Sequence, residues 1–231
     1  MRFFYELVII MILFFASFLR SEVDKVYHPY VELDTYEFEA RLIGLLDRET
    51  ASEVSIYRFG FGKDITERLF LEFYIIGAQE SSQRFEVEAY EIEALYQLTE
   101  QGEYWADFGL LFEIEREKNT KEWEGNIALL IEKEFGIWSA ALNFQNKFLY
   151  QDDMAHEWKS NQAFQLRYRS SPSFEPGLEI YSDKDSNYIG AVALGQIRLD
   201  HSKLNWEFGF LRGFNHLRDG NVVRALIEYE F

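Results

Sequence analysis

Residues 222–231 end the chain with VVRALIEYEF, and this stretch decides how the rest is read. Val223, Ala225, Ile227, Tyr229 and Phe231 form one alternating stripe that stays apolar to the final residue. Arg224, Leu226, Glu228 and Glu230 form the other, which is mostly charged. Period-two alternation places the two stripes on opposite faces of a β-strand. Chain ends fray unless something ties them down, so this amphipathic strand predicts docking along its whole length. One of its faces wants hydrocarbon and the other wants water.

Working back towards the N-terminus, the same rhythm recurs. From about Thr35 the sequence divides into about twelve segments of roughly ten residues with period-two alternation, separated by short turns. The apolar sets include Tyr36, Phe38, Ala40 and Leu42; Leu69, Leu71, Phe73 and Ile75; Phe85, Val87 and Ala89; and Trp206, Phe208 and Phe210. Helical periodicity fits none of them for long. The turns, among them GKDIT, EFG and LDHSK on one side and AQESSQ, QDDMAHE and DKDSN on the other, are polar and short, as hairpin connections are. Neither set is long enough to supply a plug. Two places resist the pattern. The alternation slips between Ala89 and Tyr90, which a β-bulge would explain, and Val54 and Ile56 share a face with Arg58.

Composition sets the outer bounds. The chain has 231 residues, 18% of them aromatic, with only three prolines and no cysteine. That aromatic content excludes disorder, and the length suits one β-domain. Lys and Arg number 23 against 40 acidic residues, which argues against nucleic-acid binding. The opening MRFFYELVIIMILFFASFLRSEVDK places Arg2 before an apolar run and small residues after it, in the manner of an export signal over 1–21. The reading then divides the chain into that signal, a periplasmic lead-in over 22–34, and a transmembrane barrel over 35–231.

Tryptophan placement tests the barrel reading separately. Trp105, Trp123, Trp138, Trp158 and Trp206 all fall near predicted strand starts, where an interfacial girdle needs an indole's apolar body and polar edge. With these features assembled, the chain resembles the Gram-negative outer-membrane β-barrels. Val223, Ala225, Ile227, Tyr229 and terminal Phe231 look like their C-terminal assembly signal. The resemblance implies an all-β, antiparallel up-and-down transmembrane barrel in the cell outer membrane, surrounded by lipid. It also implies the barrel-assembly machinery as a partner during biogenesis, and periplasmic placement for both strand termini.

The charged face then carries the functional reading. An Arg or Lys facing midplane lipid costs about 2–4 kcal/mol, so the charges must point inward. Strands four to six carry Glu86, Glu88, Glu91, Glu93, Asp107, Glu113, Glu115, Glu122, Glu124 and Glu132. Arg41, Arg58, Arg68, Arg167, Arg169, Arg198, Arg212 and Arg224 form a basic wall opposite. Such walls meet as a solid ion-paired core, or stay apart and set ion preference across an open lumen. Gly109, Asn126, Ala128, Ser139, Ala141, Ala163, Gly190 and Gly209 leave room in the middle.

Catalysis has little support. Lipid-modifying barrels need a base within reach of its nucleophile, and among four histidines only His156 with Ser81 or Ser82 could meet across outer loops. Calcium at Asp152, Asp153, Asp183 or Asp185 lacks the spacing of a helix-flanked loop. The sequence therefore predicts a monomeric, non-enzymatic barrel without metal or cofactor. It acts as a narrow passive channel for small polar or charged solutes, against three alternatives: a closed structural or interaction barrel, an outer-rim lipid enzyme, and a soluble periplasmic ligand-binding barrel.

Overall fold

The computed structural model of the chain describes residues 23–46, 53–80, 84–120, 122–150, 157–184, 186–214 and 220–231. The export segment, Ser81, Ser82, Asp152, Asp153, His156, Asp185 and His216 lie outside the described residues. Twelve strands follow in order: β1 (Tyr36–Leu46), β2 (Glu53–Thr66), β3 (Leu69–Glu80), β4 (Glu86–Gln97), β5 (Asp107–Glu117), β6 (Trp123–Phe135), β7 (Trp138–Tyr150), β8 (Glu157–Tyr168), β9 (Glu175–Ser182), β10 (Asn187–Arg198), β11 (Lys203–Gly213) and β12 (Asn221–Glu230). Each pairs antiparallel with its sequence neighbours, and β12 returns to β1, closing the barrel. Closure satisfies backbone groups that an open sheet would leave unpaired at its edges.

The seam explains the apolar C-terminus. Phe38 pairs with Tyr229 and Arg41 with Leu226. Beyond the last ladder pair, the Tyr36 amide donates to the Phe231 carbonyl at 2.9 Å and the Phe231 amide returns to Tyr36 at 3.0 Å. Outside the seam, Phe231 stacks on Tyr36 and Phe38 with ring centroids 5.8 and 5.7 Å away. The final residue is held by backbone and side chain alike.

Apolar side chains look outward. Phe208 and Ile92 are more than half exposed and Leu129 is exposed, whereas Glu132, Gln165, Glu179 and Arg224 on the opposite phase are fully buried. Phe108, Leu129 and Phe208 do not meet at a centre, so the soluble barrel with an oily interior is excluded. The charged residues surround the lumen instead.

Both irregularities have structural causes. Ile76 pairs with Ala89 but Gly77 pairs with Val87, so Glu88 is an extra residue that the β3 register skips, while its carbonyl accepts from the Lys118 amide at 2.7 Å. One inserted residue inverts every later side chain. Ala89, expected outside, is therefore buried in the lumen, and Tyr90 and Ile92 face out. Val54 and Ile56 belong to an apolar sector of the lumen. Val54 is buried, and Ile56 packs against Ile43, Leu211 and Val222 and against Tyr74, Ile76 and Ala89. What that sector covers is the chain's own N-terminal segment.

Candidate functional site: the lumen and its occupant

Residues 23–32, expected as a periplasmic lead-in, lie inside the barrel as an irregular strap with neither helix nor strand. The strap starts at the rim that carries both strand termini, where the Thr35 amide donates to Asp64 Oδ1 at 2.9 Å. The Val31 amide then donates to Gln97 Oε1 at 2.8 Å, and the Tyr30 hydroxyl to Asp107 Oδ2 at 2.8 Å. His28 Nδ1 sits 2.7 Å from Glu132 Oε2. The Tyr27 hydroxyl donates to Glu93 at 2.7 Å and Glu113 at 3.2 Å, and its amide and carbonyl are matched by the Asn143 side chain at 2.8 and 2.9 Å. Farther in, Asp24 meets Arg41 and lies 3.4 Å from Arg58, and Val23 and Val26 are buried with Ile43, Leu211 and Val222. One sector of the lumen is apolar where Val23 and Val26 of the strap lie against it.

The wall's small residues accommodate this strap. A Cβ at Gly109 would lie 2.9 Å from the Pro29 ring, closer than real Cβ atoms come. Ala128 packs with Leu111 and Leu130 around Tyr27, and Ala141 and Ala163 belong to the cluster that holds Val23 and Val26. The room that these small side chains leave is taken by Pro29, Tyr27, Val23 and Val26 of the strap.

The charged residues are paired within the wall as well as across it. Arg41 donates to Glu39 at 2.9 Å from Nε, with both side chains fully buried. Arg224 spans Glu179 at 2.8 Å and Glu207 at 3.0 Å, and also donates to the Asp24 carbonyl and the Tyr181 hydroxyl. Arg58 reaches over β3 to Glu91 and, at 3.2 Å, to Glu93. Lys147 pairs with Glu124 at 2.9 Å. Asp107, Glu113 and Glu115 are buried in the lumen, and Glu122 is half-buried at the far end. Glu86 and Glu88 are exposed, Glu88 because the bulge turns it out of the lumen. Arg212 is exposed in phase with Phe208 and Phe210, and Arg68 pairs with Glu100 in the turn after β2. Sequence parity alone could not place Glu88, since the extra residue leaves no mark except the slip itself.

At the terminal rim the lumen widens into a cavity of about 700 Å³. Arg167, Arg169, Arg198, Lys203, Glu134 and Glu230 lie on its walls. Arg167 lies 2.9 Å from Glu132, Arg169 pairs with Glu134 in the same region, and Lys203 lies 2.8 Å from Glu230. Burial alone would lower the basicity of Arg169, which stands in the turn after β8, but Glu134 and Glu175 hold it above its usual value. Burial, Glu132 and the Asp107 hydrogen bond push the Tyr30 phenol up. Trp105, Trp138 and Trp206 lie towards this rim, and Trp123 and Trp158 stand at the start of strands that begin at the far rim. Ser139 donates to Glu132 rather than to His28, so these three residues do not form a nucleophile–base pair.

No family model and no curated protein matches the chain. Solved structures do. The KdgM porin in complex with disordered oligogalacturonate aligns with a TM-score of 0.58 at 13% identity, covering 84% of this chain and 99% of that one. An outer-membrane channel from Pseudomonas putida F1 gives 0.58 at 12%, covering 90% and 98%. The translocator domain of the autotransporter NalP from Neisseria meningitidis gives 0.54 at 8%, covering 85% and 88%. At such identities the likeness establishes the fold, a closed antiparallel barrel of the outer-membrane kind.

Proposed function

We propose that this chain is an outer-membrane β-barrel that provides a route for small polar or charged solutes, narrowed in its resting state by residues 23–32. The observation that carries the reading is the division of faces: oily side chains around the outside, ionised ones around an interior that opens into a cavity of about 700 Å³. An exterior of that kind is stable only against acyl chains, and a charged interior is stable only with water or counter-charges. The fold shared with porins and channels supports the same reading. Glu39, Glu93 and Glu179 are matched by Arg41, Arg58 and Arg224, and the further buried acids Glu72 and Glu113 tip the balance of the lumen towards cations.

A second reading, a closed structural barrel, is favoured by the hydrogen bonds and ion pairs that hold the strap along its length. Planar-bilayer recording decides between them. The full chain should give small, cation-preferring conductance steps, and a chain lacking 22–33 should give larger ones. If neither form conducts although both insert, the barrel is structural.

A further inference from the structure

From the surroundings of Lys25 we infer that the lumen holds a binding site for primary ammonium groups, which the strap's own side chain occupies at rest. This rests on the channel reading above and names the class of solute it would take. Lys25 Nζ lies 2.5 Å from Glu39 Oε2, 3.5 Å from Glu228 Oε1 and 3.5 Å from the Tyr74 hydroxyl. An ammonium has three donors and no acceptor, and here it faces three oxygens from three strands, β1, β12 and β3. The Tyr27 ring adds a face 5.0 Å from the same nitrogen.

The acids around that nitrogen exceed what one lysine needs. Carboxylate oxygens of Glu37, Glu39 and Glu72 lie within 4.8 Å of one another, and so do those of Glu37, Glu228 and Glu230. Glu39 shares Arg41 and Glu230 shares Lys203, but Glu72 has no guanidinium or ammonium of the described residues within ion-pair distance. Glu72 is 5% exposed and its Oε1 has no hydrogen-bond partner. A buried carboxyl without a counter-charge is costly to ionise, so an ammonium held beside it is what lets Glu72 carry its charge. Gly60 belongs to the same construction. A Cβ there would collide with the Glu72 carboxylate and the Tyr74 ring, so the glycine clears the wall for both.

Access comes from the terminal rim. Lys25, Glu37, Glu72, Glu228 and Glu230 all line the cavity of about 700 Å³, so a soluble amine entering there reaches the cage without crossing the apolar sector around Val23 and Val26. A primary ammonium fits better than a quaternary one, because the contacts to Glu39, Glu228 and Tyr74 are hydrogen bonds. It also fits better than a bare metal ion, because one of the three oxygens is a neutral phenol.

The test empties the cage without removing the strap. Full-length Lys25→Ala, refolded in detergent, is titrated with n-butylammonium, which replaces the missing side chain, and with butan-1-ol, which matches it without the charge. We expect saturable calorimetric binding of n-butylammonium to Lys25→Ala, raised thermal stability with it, and neither effect with butan-1-ol. Wild type should bind no n-butylammonium, and Lys25→Ala carrying Glu72→Gln and Glu228→Gln should lose the binding. Equal behaviour of n-butylammonium and butan-1-ol, or undiminished binding after the two Gln substitutions, overturns the proposal. If Lys25→Ala does not refold, Lys25→Met carries the same titration. Refolding of both variants without any bound amine also overturns it. These measurements need no conductance, so a silent bilayer with intact amine binding would reject the channel and leave the site standing.

Discussion

The Tyr27 hydroxyl donates to Glu93 Oε1 at 2.7 Å across 66 residues of sequence, linking the strap to the acidic side of the barrel. Its second contact, to Glu113 at 3.2 Å, places one donor between two buried carboxylates. Like charges that close repel strongly where little water screens them. Tyr27→Phe keeps the ring among Leu111, Ala128 and Leu130 and removes only the donor. We expect a loss of about 1–3 kcal/mol, the cost of leaving a buried acceptor unsatisfied. Urea unfolding in lipid vesicles measures it, and an unchanged midpoint would mean that the strap is not seated on Glu93.

Arg224 tests the opposite side. It is fully buried, sits on Glu179 and Glu207, and also holds the strap's backbone at the Asp24 carbonyl. Arg224→Leu preserves bulk but leaves two acids without their cation, for an expected cost of about 3–5 kcal/mol. Adding Glu179→Gln should recover part of it, because the coupled pair rather than either charge alone sets the cost. Additive losses in that double mutant would show that the pair does not interact.

The direction of the oily side chains can be measured residue by residue. Phe208 is 52% exposed and pairs with Ala225 in mid-barrel. Phe208→Arg should destabilise the lipid-embedded barrel by about 2–4 kcal/mol, the range for an arginine at the bilayer midplane. Exposed Tyr104, in the turn between β4 and β5, should accept the same change within about 0.5 kcal/mol. Equal costs at the two positions would remove the argument for a lipid-facing wall.

We propose that Phe231 serves assembly beyond its part in the seam. In the folded barrel it contributes backbone bonds to Tyr36 and ring contacts with Tyr36, Phe38 and Tyr229. Phe231→Ala keeps the backbone bonds, so refolding in vitro should be reduced only modestly, by about 1 kcal/mol for the lost aromatic contacts. In cells the amount of heat-modifiable folded barrel should drop far more than that figure implies. A cellular yield that follows the in vitro stability would make the residue purely structural.

The wall of this barrel was legible in the sequence because one physical rule repeats: residues two apart share a face, and lipid tolerates no charge there. Phe208 and Phe210 and the VVRALIEYEF ending obey it, and even the Ala89 slip announced its bulge. The occupant was not legible. VDKVYHPYVE has no period, since a strap that touches a different strand at nearly every residue is matched to partners scattered through the chain. Tyr27 alone meets Glu93, Glu113 and Asn143 on three strands. One signal was available: Val54 and Ile56 on a charged face called for apolar company inside, which Ile43, Leu211 and Val222 of the wall provide together with Val23 and Val26 of the strap.

The mouth of the lumen gives the last prediction. Arg167 and Arg169 stand on the cavity wall at the terminal rim, held by Glu132, Glu134 and Glu175. In the channel reading every ion passes them, and their positive charge offsets acids that would otherwise attract cations. Neutralising both as Arg167→Gln and Arg169→Gln frees Glu132, Glu134 and Glu175 to face the water. The reversal potential in a salt gradient should then move towards stronger cation preference, and the shift should shrink as salt rises and screening shortens. Glu132 retains His28 at 2.7 Å and the Ser139 hydroxyl, so the wall keeps its local order when the guanidiniums go. A reversal potential unmoved by the double substitution would place the conducting path elsewhere than through this mouth.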